Sequence, residues 1–179
     1  MAFNINEIKS QLTFGGAKAS LFQVAITNPI DGAGDLKTPF MVQAAQIPAA
    51  TVGVIEVPYF GRKVKIAGDR TFAEWTVTVI NDEDFLIRNA MEAWMASINS
   101  HEGNVTAGND YKNQAQITQY AKTGSPLRTY NFNGLFPTNI GDITMDWNTT
   151  DEIETFEVTF AYDWWNVSGG TTGDGGTNA

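Results

Sequence analysis

Few side chains in this sequence could do acid–base, nucleophilic or metal chemistry, and their spacing argues against all three. The one histidine, His101, lies beside Glu102 in a polar, Gly-containing stretch. A metal site or proton relay needs partners that this stretch does not offer, so His101 reads as a solvated loop residue. Glu152, Glu154 and Glu157 could supply the acid and base of a glycosidase. Strand alternation, however, puts Glu152 and Glu154 on one face with nothing to push their pKa values apart, and a charged solvent or lumen face is the simpler reading. Gly61, Arg62 and Lys63 lack the long Gly-rich loop, leading into a helix, that cradles a phosphate. Cysteine is absent, which excludes a disulfide, a thiolate nucleophile and a cysteine metal site. The chain therefore reads as a protein without catalytic residues, metal or cofactor.

The remaining chemistry is that of contact. Arg62, Lys63, Lys65 and Arg70 form a small basic cluster. Its size and the acidic remainder of the chain favour ion pairing between subunits over nucleic-acid binding. Five tryptophans invite a sugar-stacking reading. Trp75 and Trp147 share alternating faces with Val77, Val79, Ile143 and Met145, and Trp94 lies on an apolar helical stripe, so these three are expected in the core. Trp164 and Trp165, as strand neighbours, must point to opposite faces, which leaves one of them as an interface anchor.

A chain of 179 residues is long enough for one β-domain with a sizeable core and short for two. Only 17% of residues are charged, so part of the surface is expected to be covered by other copies. The net charge of −9 is lopsided: up to Arg128 the chain holds 11 basic and 12 acidic side chains, and beyond it eight acids and no Lys or Arg. Such a region repels a phosphate backbone, because DNA binding rests on Lys and Arg releasing counterions. A wall past which DNA slides is compatible with it. No apolar run reaches the roughly 18 residues of a membrane span, and the start lacks the basic-then-apolar order of a secretory signal. The expectation is a chain without a membrane span, made and assembled in the cytoplasm.

The patterning predicts an antiparallel β-sandwich or barrel with one flanking α-helix. Residues 1–20 read as an arm with a short helical turn, 21–166 as the domain, and the Gly- and Thr-rich 167–179 as a disordered tail. Strands are predicted at 21–27, 40–46, 51–57, 64–67, 74–80, 114–120, 127–136, 142–147 and 153–164, and a helix at 83–98 capped by Asn81 or Asp82. Residues 40–66 read as a projecting hairpin whose Val52, Val54 and Val57 need a neighbour to cover them. Thr76 and Thr78, Thr144 and Asp146, and Thr155, Glu157 and Thr159 each oppose an apolar face, so their polar sides must meet water.

The segment Ala67, Gly68, Asp69, Arg70, Thr71, Phe72, followed by Trp75 to Val79 and by Asn81 and Asp82, resembles the signature of T-even-type contractile bacteriophage tail tube proteins. Leu21 to Val24, Arg62 and Lys63, Gln119 to Ala121, Gly134 and Leu135, Pro137 to Asn139 with Gly141, and Ile153 with Thr155 to Thr159 follow in the family's order. Phe136, where the family leads one to expect Trp, the loop at 28–39 and the tail after 166 depart from it. The resemblance implies a homo-hexameric ring, stacked into a hollow tube on a baseplate, built around a tape measure protein and wrapped by a contractile sheath. DNA then leaves a virion through the lumen without specific binding, and the polar strand faces above are assigned to that channel. A tube subunit of a phage-derived bacteriocin or contractile injection system, or a secreted carbohydrate-binding β-sandwich, are the alternatives.

Overall fold

The computed structural model describes residues 5–12, 15–100, 103 and 111–169. His101, Glu102 and the tail from 170 onward lie outside the described residues. The architecture is mainly antiparallel β, with one long helix among the described residues. Seven strands form one continuous sheet in the order β1 (Phe22–Ile26), β6 (Asn113–Tyr120), β7 (Pro126–Ile140), β8 (Thr155–Ala161), β5 (Trp75–Ile80), β2 (Val42–Ala45), with β9 (Trp164–Ser168) also on β7.

The long strand β7 folds that sheet into two layers. Its first half pairs with β6 and β9, its second half with β8. The corner is Gly134, at φ +69, where a Cβ would lie 2.1 Å from Asp163 Oδ2. Only glycine accepts both the dihedral and the contact. The Asp163 amide donates to Asn133 O at 3.0 Å, and Lys112 Nζ lies 2.8 Å from the Asp163 carboxylate. Between the layers Trp75 stacks on Phe132 at 4.6 Å and 6°, with Val24, Ile117, Leu135, Val158 and Phe160 fully or almost fully buried around them.

Helix α3 (Leu86–Ile98) closes the sandwich with Ile87, Ala90, Met91 and Trp94, its buried stripe. It begins three residues later than the sequence predicts, and Asn81 is not its cap. Asn81 instead pairs with Glu154 through backbone and side chain, Asp84 Oδ1 accepts the Leu86 N–H, and Phe85 turns left-handed at φ 49. The Pro- and Gly-containing stretch 28–39 is tied to this helix: Asn28 Nδ2 donates to Ala90 O at 2.8 Å, and Lys37 bridges Asp82 and Asp84.

Other departures have local causes. The predicted strand 40–46 starts as a helical turn, α2 (Thr38–Met41), because Pro39 sits in its first turn and Thr38 Oγ1 bonds Gly34 O. The predicted strand 142–147 does not form. There Asp146 accepts the Asn148 N–H and Thr149 Oγ1 bonds Asp146 O, a side-chain turn that competes with a ladder. The predicted strand 153–164 breaks at Tyr162 and Asp163, where the chain rounds the Gly134 corner, and β9 continues to Ser168 with Val167 buried.

Candidate assembly surfaces

Among the described residues, strands β3 (Ala50–Tyr59) and β4 (Arg62–Phe72) pair only with each other, and every residue of β3 is exposed. The hairpin thus spans 50–72 rather than 40–66. Pro58 does not break it, since an edge strand can turn the missing N–H outward. Directly opposed residues share a face. One face of the ribbon carries Ile55 opposite Ile66 and Val57 opposite Val64, all between 43% and 54% exposed, and Tyr59 opposite Arg62. The other carries Val54, Glu56 opposite Lys65, Pro58 opposite Lys63, and Val52 opposite Arg70. Of the valines expected to need a neighbour, Val57 therefore lies on the apolar face, and Val52 and Val54 on the charged one. Lys63 pairs with Glu56 at 2.6 Å, whereas Arg62, Lys65 and Arg70 make no ion pair among the described residues.

At the tip, Phe60 (φ 40) and Gly61 (φ 78) form a two-residue turn with both central residues left-handed. For phenylalanine that conformation costs about 1 kcal/mol or more. Its ring is 91% exposed and meets Tyr59 edge-on at 4.7 Å. The base is held firmly, by Phe72 against Tyr162 and Trp165 and by the Tyr162 hydroxyl donating to Ala73 O at 2.6 Å. Burial pushes the Tyr162 pKa up to about 12, so this donor keeps its proton.

The arm contains helix α1 (Ile5–Gln11), none of which is buried. Ile5, Ile8 and Leu12 form an exposed apolar stripe along it. Trp165 packs inward against Tyr130, while Trp164 points outward and is 43% exposed. Trp75 and Trp94 are in the core, and the Trp94 indole donates to Tyr111 O. Trp147 corrects the sequence reading: it is 99% exposed, because the strand that was to bury it is instead the coil 141–154.

Of the polar strand faces, Thr76 opposite Thr159 and Thr78 opposite Glu157 share the outward face of the second layer with Thr155. The Thr76 and Thr159 hydroxyls lie 3.3 Å apart. Thr144 and Asp146 are not on that face; both sit on the 141–154 coil, so alternation does not apply to them. The reading missed a second outward face, uncharged, with Gln116 opposite Asn131 and Thr118 opposite Thr129, although the alternation of β6 carries its signal. It also missed the open groove of about 510 Å³ under the 141–154 coil, lined by Asp142, Met145, Asp146, Glu152, Ile153 and Glu154 among others. Among the described residues no group of three or more His, Cys, Asp or Glu could hold a metal ion, and no helix is long and apolar enough to cross a membrane.

A two-layer sandwich that exposes apolar side chains on its ribbon, arm and coil, and at Leu36 before α2 and Phe40 within it, belongs to the class of β-subunits with apolar surface left for a partner to cover. The fold matches a chain of the anti-feeding prophage tube terminating cap (TM-score 0.65, 19% identity, covering 86% of this chain and 91% of that one). It also matches a chain of an extracellular contractile injection system sheath–tube complex (TM-score 0.61, 17%, 94% and 99%). In sequence it is 41% identical over 153 residues to the tail tube protein gp19 of Enterobacteria phage T4, covering 83% of this chain and 90% of that protein. It is 26% identical over 165 residues to the tail tube protein of Serratia phage KSP90, covering 88% and 93%. The chain belongs to the phage tail tube protein family, whose model matches residues 5–168.

Proposed function

We propose that six copies close into a ring, that rings stack into the hollow tube of a phage tail inside a contractile sheath, and that DNA passes through the lumen into the host. The observation that carries this is the β3–β4 ribbon. A two-stranded ribbon is marginal in water by itself, and this one leaves Ile55, Val57, Val64 and Ile66 open to solvent, so a neighbouring copy should complete it. The arm stripe Ile5, Ile8 and Leu12 has the same need. Both are read as contacts between rings. The protein's role is structural rather than enzymatic, its place is the virion tail, and its assembly belongs in the host cytoplasm, templated by baseplate and tape measure protein. The 41% identity to a phage tube protein, against 17–19% to injection-system chains, favours the phage over the bacteriocin or injection-system reading.

Electron microscopy of purified protein, alone and on baseplates, should show rings and tubes; a strictly monomeric protein under both conditions would sink the reading. The channel is assigned to the face with Thr76, Thr78, Thr155, Glu157 and Thr159, a lining that offers phosphate no cation. Glu157→Lys should then leave tubes intact but slow DNA ejection, with the defect easing as salt rises. Unchanged ejection at low salt would move the channel to another face.

A further inference from the structure

We propose that the hairpin tip of one subunit seats in the groove under the 141–154 coil of a second copy of this chain. This rests on the tube reading and adds the partner surface that the reading leaves open. The tip holds Phe60 in a left-handed conformation and 91% exposed. Inside the subunit the strained ring meets the edge of Tyr59 and stays exposed, because among the described residues β3 and β4 pair with nothing but each other. What such a tip fits is an acidic recess with apolar side chains at its edge, since Arg62 and Lys65, which make no ion pair among the described residues, follow the ring, while Lys63 is held by Glu56.

The coil supplies that recess. Met145 is 80% and Ile153 73% exposed in and beside a groove that also carries Asp142, Asp146, Glu152 and Glu154, with Trp147 wholly exposed on the same coil. No Lys or Arg follows Arg128, so the groove contains no cation of its own. Tip and groove are different surfaces. A contact between them is head-to-tail, the kind that propagates a polymer rather than closing a dimer. Charge steers the encounter and fixes the register, and the Phe60 ring against Met145 and Ile153 supplies the apolar burial.

A charge swap tests the pairing in the full chain, with every altered residue exposed. R62E/K65E in the tip and D142K/E152K in the coil, which leave the Asp146 turn and the Lys63–Glu56 pair intact, should each leave the thermal unfolding of the soluble subunit unchanged. Each should cut tube yield on baseplates about tenfold or more, because like charges then face each other. The four changes combined in one chain should restore tubes. Phe60→Ala should lower the yield without any change of charge. Wild-type-like tubes from either pair, or a combined variant no better than the singles, overturns the pairing while the tube reading stands. Failure of the unaltered protein to form tubes on baseplates removes the tube reading and the pairing with it.

Discussion

The β5–β8 and β3–β4 ladders are built alike and live differently. Both are antiparallel, both alternate branched apolar residues with polar ones, and both are rich in Val, Ile and Thr. In β5 every second residue is buried, and in β3 none is. The difference is in what lies opposite. Trp75, Val77 and Val79 meet a second layer and α3 within the chain, whereas Ile55 and Val57 meet solvent. Alternation encodes that a face must be covered, not which chain covers it.

The largest test of that contrast removes a side chain on each side of it. Trp75→Ala deletes a fully buried indole stacked on Phe132 and should cost about 3–5 kcal/mol in urea unfolding of the soluble subunit. A cost below about 1 kcal/mol would show that the two layers do not share one core. Next comes the corner that makes two layers from one sheet. Gly134→Ala places a Cβ on the Asp163 carboxylate and keeps φ at +69, so either the contact opens or the backbone shifts. The expected loss is roughly 1–3 kcal/mol, and Asp163→Ala should relieve part of it by removing the clashing atoms. Losses that simply add would place the strain elsewhere.

The hairpin should answer in the opposite way. Val54→Asp on its charged face and Ile55→Asp on its apolar face replace side chains 61% and 54% exposed. Urea unfolding of the soluble subunit should move by no more than about 0.5 kcal/mol. Tube growth should stop with Ile55→Asp and weaken with Val54→Asp. Normal polymers from both would mean that the ribbon is not an interface.

What could be read from the sequence follows the same divide. The β5 and β8 faces, the helix stripe and the inward Trp75 and Trp94 were legible because their partners lie in the chain and impose a strict period. Trp147 misled because Ile143, Met145 and Trp147 alternate as a strand would, while Asp146 and Thr149 satisfy the backbone locally and release the segment from any ladder. The corner at Gly134 and the tip at Phe60 carry no period. Each is set by one dihedral and one close contact, which local sequence signals only weakly.

The smallest expected effect lies on the sandwich side, where Lys37 ties the 28–41 segment to the start of α3. Its Nζ lies 2.6 Å from Asp82 and 2.5 Å from Asp84, and these hydrogen bonds, Asp82 first, hold the ammonium above its ordinary 10.5. The same bonds, with the Glu83 and Leu86 amides second, hold the two carboxyls below 3.8. Carboxyls depressed by folding add stability above pH 3.8 and lose it as pH falls through their lowered values; an ammonium raised by folding adds stability below pH 10.5 and loses it as pH rises through its raised value. Lys37→Met should therefore lower Tm by a constant amount between these limits, with the gap to the parent closing on both sides. Asp35, raised chiefly by burial and drawn back by its bond from the Asn28 amide, has the opposite sign, since folding disfavours its charged form and gains as pH falls. It is common to both proteins and cancels in the difference. Thermal melts of the two in parallel at pH 3, 7 and 11 decide it: a gap that widens at pH 3 would mean that the Asp82 and Asp84 carboxyls are not what Lys37 holds.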